Sequence, residues 1–219
     1  MNQNARIMGI VASIAILLFT LAFIILISIF PAGEFDSAKQ FLMAFHPTLL
    51  LPVIPSFLLV LANIPFFVAL FSYAEESLKS FALAGLLFGA AYAVCCGANY
   101  FAQLTVVPQS MPLGRFSSLA VFSMHIRGSF AYSLDNLGYI FLSVSFLFFS
   151  MIFGLKGFQG YIKSAFIVYG ITGLLGATGY MAGNSFLESF IFISAFPYLI
   201  AVVLMLLQYF RMAGNPDLH

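Results

Sequence analysis

Apolar runs of about 20 residues alternate with short polar breaks along the whole chain, and six runs long enough to cross a bilayer emerge. The first covers residues 8–30 and ends at Pro31 and Gly33, before Glu34, Asp36 and Lys39 in a polar loop. The second covers 48–73, with Pro52 and Pro55 near its start and Pro65 inside. Pro65 removes a backbone hydrogen bond and predicts a kink, with Asn63 beside it as a polar partner. The third covers 77–107 and stops at Pro108. A continuous helix of that length reaches ~46 Å against a hydrocarbon core of ~30 Å, so it tilts or projects from the membrane. The longest connection follows, and its middle, 116–126, reads as a short helix lying at the interface. The fourth run covers 130–153. A turn holding Gly154, Lys156, Gly157, Gly160 and Lys163 precedes the fifth, 164–181, and Gly183–Asn184–Ser185 makes a tight turn before the sixth, 186–210. Pro197 predicts a second kink, and Arg211 with a short polar tail closes the sequence.

These periods predict an all-α, polytopic transmembrane bundle of six spans in one integral membrane domain over residues 1–219. Composition agrees: of 219 residues, 63% are hydrophobic and 7% charged, with a mean hydropathy of +1.08. Soluble domains carry about 25% charged residues, so the bilayer itself is the expected partner of most of this surface. The net charge of +1 gives no electrostatic case for nucleic acid. The first run exceeds the 7–15 residues of a signal-peptide core and is expected to stay as a span.

Small residues recur every fourth position in the third run, at Gly85, Gly89, Ala93 and Gly97. They stack into a groove on one face, open either to neighbouring spans or, through Gly85, Gly89 and Gly97, to a helix of another chain. Gly170, Gly173, Gly176 and Gly179 mark the fifth run as a second close-packing helix. Cys95 and Cys96 are adjacent, point about 100° apart on a helix and read as small packing residues. No metal site is predicted, and no cofactor can be named.

Six spans put both termini on one side. That side holds Arg6, Lys79, Lys156, Lys163 and Arg211; the other holds Lys39, Arg115 and Arg127. The basic excess predicts cytoplasmic termini in the inner, cytoplasmic membrane of a cell. Tyr73, Tyr161 and Tyr209 then fall at the inner boundary, and Tyr100, Tyr132 and Tyr180 at the outer one, as interfacial tyrosines do.

This topology gathers polar residues at the outer end. Asn99, Tyr100 and Gln103 close the third run; Asp135, Asn136 and Tyr139 open the fourth; Asn184 and Glu188 open the sixth. The inner half offers almost nothing polar beyond turn charges. A carboxylate inside a span costs about 2.5–3.5 kcal/mol at the centre and less near an end. Asp135 and Glu188 are therefore either ligand counter-charges or proton acceptors, paired with Arg115 or Arg127, or acids favoured by a helix N-terminus. His125 with Arg127 could take an anion such as a lipid phosphate. His46 reads as a solvated residue. Asn99 and Gln103, four apart, serve as interhelical glue or ligand contacts.

No paired-histidine zinc motif, nucleophile elbow, phosphate-binding loop or dinucleotide fingerprint occurs. Two stretches, NYFAQLTVV at 99–107 and LDNLGYIFLSVSFLFF at 134–149, resemble an uncharacterised group of bacterial six-span membrane proteins with NYF-x-QL-x-VV and acidic-x-LGY segments. The resemblance covers the middle third of the chain and implies the same residues: Asn99, Tyr100, Gln103, Asp135 and Tyr139. Where that group has an Asn-Pro-His-Gly type loop, this chain reads Ser123–Met124–His125–Ile126–Arg127–Gly128, so only His125 carries over. Three functions stay open: binding or transport of a lipid-like or small polar ligand in an outward-facing pocket, a membrane-embedded lipid-modifying enzyme using Asp135 or Glu188 with His125, and an accessory or assembly subunit of a membrane complex.

Overall fold

The computed structural model describes residues 1–31 and 33–214; the polar tail lies outside them. In chain order the elements are α1 (Gln3–Ile29), α2 (Ala38–Ala44), a 3-10 turn (Pro47–Leu50), α3 (Val53–Tyr73), a second 3-10 turn (Glu76–Leu78), α4 (Lys79–Ser110), α5 (Phe116–Phe122), α6 (Phe130–Ser150), α7 (Gly157–Ala182), α8 (Ser185–Glu188) and α9 (Phe190–Gly214). Six helical segments have the length and hydropathy of membrane spans. Among the described residues the one extended pairing is a single parallel bridge, Phe35 to Ile126. The architecture is all-α.

The six spans close into a ring. Each packs on its neighbours in sequence (α1 on α3, α3 on α4, α4 on α6, α6 on α7, α7 on α9), and α9 returns to α1. Short connections between antiparallel helices produce this order. The start of α1 and the end of α9 meet at one end, where the Arg6 guanidinium donates to the Met212 carbonyl at 3.1 Å.

Inside the ring the core is aromatic: Phe66, Phe67, Phe146, Phe149 and Phe166 are buried. Outside, α1 shows Ile7, Val11, Ile14, Leu18, Leu21 and Ile25, an apolar stripe that needs a lipid environment. Its inner face is small, with Ala5, Gly9, Ala12 and Ser13. Ser13 and Thr20 return their hydroxyls to the carbonyls of Gly9 and Ile16, both at 2.8 Å, so no polar group is left unpaired there.

The glycine groove of α4 is filled from within. Phe149 of α6 lies over Gly85, Phe67 of α3 lies over Gly89, and the two rings stack at 5.9 Å. Gly97 is half-buried beside Val60. Both cysteines are free thiols.

Several boundaries differ from those read in the sequence. Pro108 does not stop α4; it sits in the last turn, and the Met111 amide still reaches the Val107 carbonyl. α7 begins at Gly157 rather than at 164, and Ile162 in this added stretch is already buried, on the same helical face as Ala165 and Phe166. Gly157 starts it at φ 62°, which a side chain would disfavour. The sixth run is broken at Ser189 into α8 and α9. The turn before it is a Schellman cap: the Gly183 amide donates to Tyr180 and the Asn184 amide to Gly179, with Gly183 at φ 64°.

The loop after α1 holds a helix the polar reading missed. Ser37 accepts from the Gln40 amide at 3.3 Å, and the Gln40 side chain accepts from the Asp36 amide at 3.1 Å. Ser-x-x-Gln before an apolar run is the available signal. α2, α5 and the projecting end of α4 enclose a second, separate core of Phe41, Val107, Leu119 and Ile126. This cap covers one end of the ring.

Candidate functional site

The polar seam beneath the cap is built from α4 and α6. Asn99 and Gln103 lie four apart on the face of α4 that meets α6, and both are buried. Ser129 starts α6 by accepting from the Tyr132 amide at 3.0 Å. That start sets Asp135 against Asn99, whose amide donates to the Asp135 carboxylate at 3.1 Å. One turn further on, the Tyr139 and Tyr100 hydroxyls meet at 3.1 Å. Gly138 lets the helices close: a Cβ there would run into the Cys96 sulfur. The Cys96 thiol donates to the Asp135 backbone carbonyl at 3.8 Å. Asn136 takes no part, donating to its own helix at Tyr132.

Gln103 joins this seam to the cap. Its amide nitrogen donates to the Asn99 side-chain oxygen at 3.0 Å and to the Phe122 carbonyl at 2.6 Å. Its oxygen accepts from the Met124 amide at 3.0 Å.

A second cluster lies at the surface. Arg127 donates to Glu188 at 2.7 Å and lies 3.8 Å from Glu34. The Tyr132 hydroxyl sits between the same two acids, 2.8 Å from Glu188 and 3.1 Å from Glu34. Glu188 followed by Glu34 hold the Arg127 guanidinium above its ordinary range. Ser133 and Tyr180 pair nearby at 2.9 Å.

His125 belongs to neither cluster. Its ring stacks on Phe41 in the cap core at 5.6 Å, and its Nε2 has no partner among the described residues. Its carbonyl accepts from the Phe35 amide at 2.8 Å, tying the two loops. Burial alone lowers its pKa to about 4, so it is a neutral imidazole. It brings no charge to an anion beside Arg127, whose own charge is already met by two carboxylates. Arg115 is exposed, and His46 caps the first 3-10 turn.

The expected residues thus fall into separate groups. Asn99, Tyr100, Gln103, Asp135 and Tyr139 come together; Glu188 and Arg127 form another contact; His125 and Asn136 stand apart. Of the two candidate acids, Glu188 takes the arginine. Among the described residues no Lys, Arg or His lies within ion-pairing distance of Asp135. Cavities occur elsewhere. One of about 250 Å³ opens between α3 and α4 beside Ile64 and Ala93, and one of about 350 Å³ beside Phe71 and Lys79; none of the expected site residues lines either.

Two features escaped the sequence. Tyr100 and Tyr209 do not face outward as a tyrosine belt would; both are buried, Tyr209 against Gly9. The rest of the bundle is also not devoid of polar structure: at the opposite end Gln159 and Gln208 both donate to the Tyr73 hydroxyl at 3.2 Å, and at mid-span Tyr198 donates to Asn63 at 2.9 Å. A glutamine inside an otherwise apolar run, as at 208, was the signal. Asn63 serves Tyr198 and the Leu59 carbonyl rather than the backbone freed by Pro65.

No protein-family model, curated protein or solved structure matches this chain. The six apolar helices fit an integral, multi-pass membrane protein.

Proposed function

We propose that this protein binds or moves a lipid-like or small polar ligand at its capped end, and that Asp135 is the group that engages it. The observation behind this is a carboxylate seated between two membrane helices without a cationic partner among the described residues. Ionisable groups at membrane depth are costly and are retained where they meet an ion, a proton or a ligand. Asn99 donates to the Asp135 carboxylate and the Cys96 thiol to the Asp135 backbone carbonyl, so the carboxylate is oriented by a neutral donor and meets no cation among the described residues. Asp135, Glu188 and His125 share no hydrogen bond among the described residues, which favours binding over acid–base catalysis by that trio. We place the capped end outside and both termini inside the inner membrane, following the basic residues at the terminal end.

Native mass spectrometry from mild detergent tests the reading. The wild-type protein is expected to retain a bound molecule that Asp135→Asn loses. The same bound molecule on both proteins, or none on either, would overturn it.

A further inference from the structure

We infer that the charge of Asp135 controls how firmly the cap is held, so that proton uptake at this one carboxylate loosens the cap. The inference rests on Asp135 being the functional acid of the site proposed above, and adds how that site is regulated.

The argument lies in the direction of the hydrogen bonds. At the cap end stands a backbone donor, the Met124 amide, which can only face an acceptor. It therefore fixes the Gln103 oxygen toward the cap, and the Gln103 nitrogen toward the Phe122 carbonyl and the Asn99 oxygen. That orientation turns the Asn99 nitrogen toward Asp135, which as a carboxylate can only accept. The chain from Met124 to Asp135 has one polarity, imposed at both ends.

A proton on the carboxylate disturbs it in either of two ways. On the oxygen that faces Asn99, donor meets donor. Turning the Asn99 amide moves the clash to Gln103, and turning Gln103 moves it to Met124. On the other oxygen, the Asn99 bond survives but becomes a neutral contact of roughly half the strength. Each case weakens the hold on Phe122 and Met124, where α5 leads into the loop that carries His125 and Arg127.

The groups facing Asp135 are few. Asn99, Tyr100 and Cys96 come from α4, and Tyr139 from α6. Among the described residues no charged side chain of α5 or α7 pairs with it. Other titratable groups at this end, among them His125, Tyr132, Glu34, Glu188 and Arg127, act through their own contacts on the cap.

Hydrogen–deuterium exchange on the full-length protein in mild detergent, from pH 4.5 to 8 and corrected for intrinsic exchange, reads the Met124 amide directly. Protection over residues 122–126 should fall roughly tenfold or more as wild type is acidified. In Asp135→Asn it should stay near the acid value at every pH beyond the slope that His125 contributes to all variants. If Asp135→Asn does not fold, Asn99→Leu carries the test, since it keeps the acid and removes the relay; its pH response should vanish likewise. Variants with the same pH dependence as wild type would overturn the inference. A cap response that depends on Asp135, in a protein that holds no ligand, would keep this inference and remove the ligand reading. A ligand lost in Asp135→Asn with the cap response unchanged would do the reverse.

Discussion

The glycine groove of α4 can be probed one methyl group at a time. At Gly89 an added Cβ would lie 2.5 Å from Phe67 Cδ2 and 2.7 Å from Cε2. Phe67 is buried, stacked on Phe149 at 5.9 Å and edge-on to Phe146 at 6.4 Å, so relieving the contact means breaking these ring contacts and shifting toward the cavity of about 250 Å³ that Phe67 also lines. Overpacking of this kind costs about 1–3 kcal/mol, against about 1 kcal/mol gained by replacing glycine with alanine in a helix. The lost ring contacts outweigh the propensity gain, leaving Gly89→Ala less stable by up to about 2 kcal/mol. At Gly97 the nearest atom to an added Cβ is Val60 Cγ1 at 3.8 Å, an ordinary contact. Gly97→Ala should therefore keep most of the helix-propensity gain, up to about 1 kcal/mol. The assay is the apparent unfolding midpoint of both variants in one mild detergent, with Gly97→Ala at or above wild type and Gly89→Ala below it. A Gly97→Ala variant that falls as far as Gly89→Ala would refute the reasoning. It would mean that something other than this chain, such as a second copy, packs against α4 beside Gly97.

The remaining predictions concern the cap and the interior. His125 titrates near 4 in the folded chain and near 6.5 when unfolded, so between those values the unfolded chain binds a proton that the folded cap does not. Cap stability should be full above about pH 6.5 and fall by up to about 3 kcal/mol on acidification toward 4. Limited proteolysis in the 111–129 segment should show this dependence, and His125→Phe should flatten its share. Arg127→Gln should loosen the α8 contact modestly, and high salt should mimic it in wild type, because the guanidinium is exposed; exchange rates over 183–190 would report both. Tyr198→Phe removes the buried bond to Asn63 and should cost about 1 kcal/mol in the same unfolding assay, while Tyr161→Phe, on the exposed surface, should cost nothing measurable.

The candidate site shows where sequence reading stops. Asn99 and Gln103 were legible as a pair because a separation of four puts them on one helix face. That Asn99 faces Asp135, and Gln103 the cap, rather than lipid follows from the close approach of α4 and α6 at Gly138 and from the loop after α5, which the sequence does not announce. Asp135 and Glu188 looked alike in sequence, each an acid near a span terminus. The break at Ser189 and the loop that delivers Arg127 separate them, giving Glu188 an arginine and leaving Asp135 among amides, thiols and phenols. The tyrosines misled for a related reason. Tyrosine at a span end is favoured by the interface, but a helix end under a cap is interior, and Tyr100 is buried there.

By itself the sequence determined the class of the protein and the number of its spans. Long apolar runs have one solution in water-poor surroundings, the helix, and prolines, glycines and charges mark where each must end within a few residues. It also determined which faces are small enough for close packing. Only the tertiary structure decided that the spans close into a ring, that the chain's own Phe67 and Phe149 fill the α4 groove, and that two loops fold into a cap with its own core. These depend on contacts between residues tens to hundreds of positions apart, which no local period encodes. The same holds for the relay from Met124 to Asp135. Its polarity is set by a backbone amide and a carboxylate brought to opposite ends of two side-chain amides by the fold.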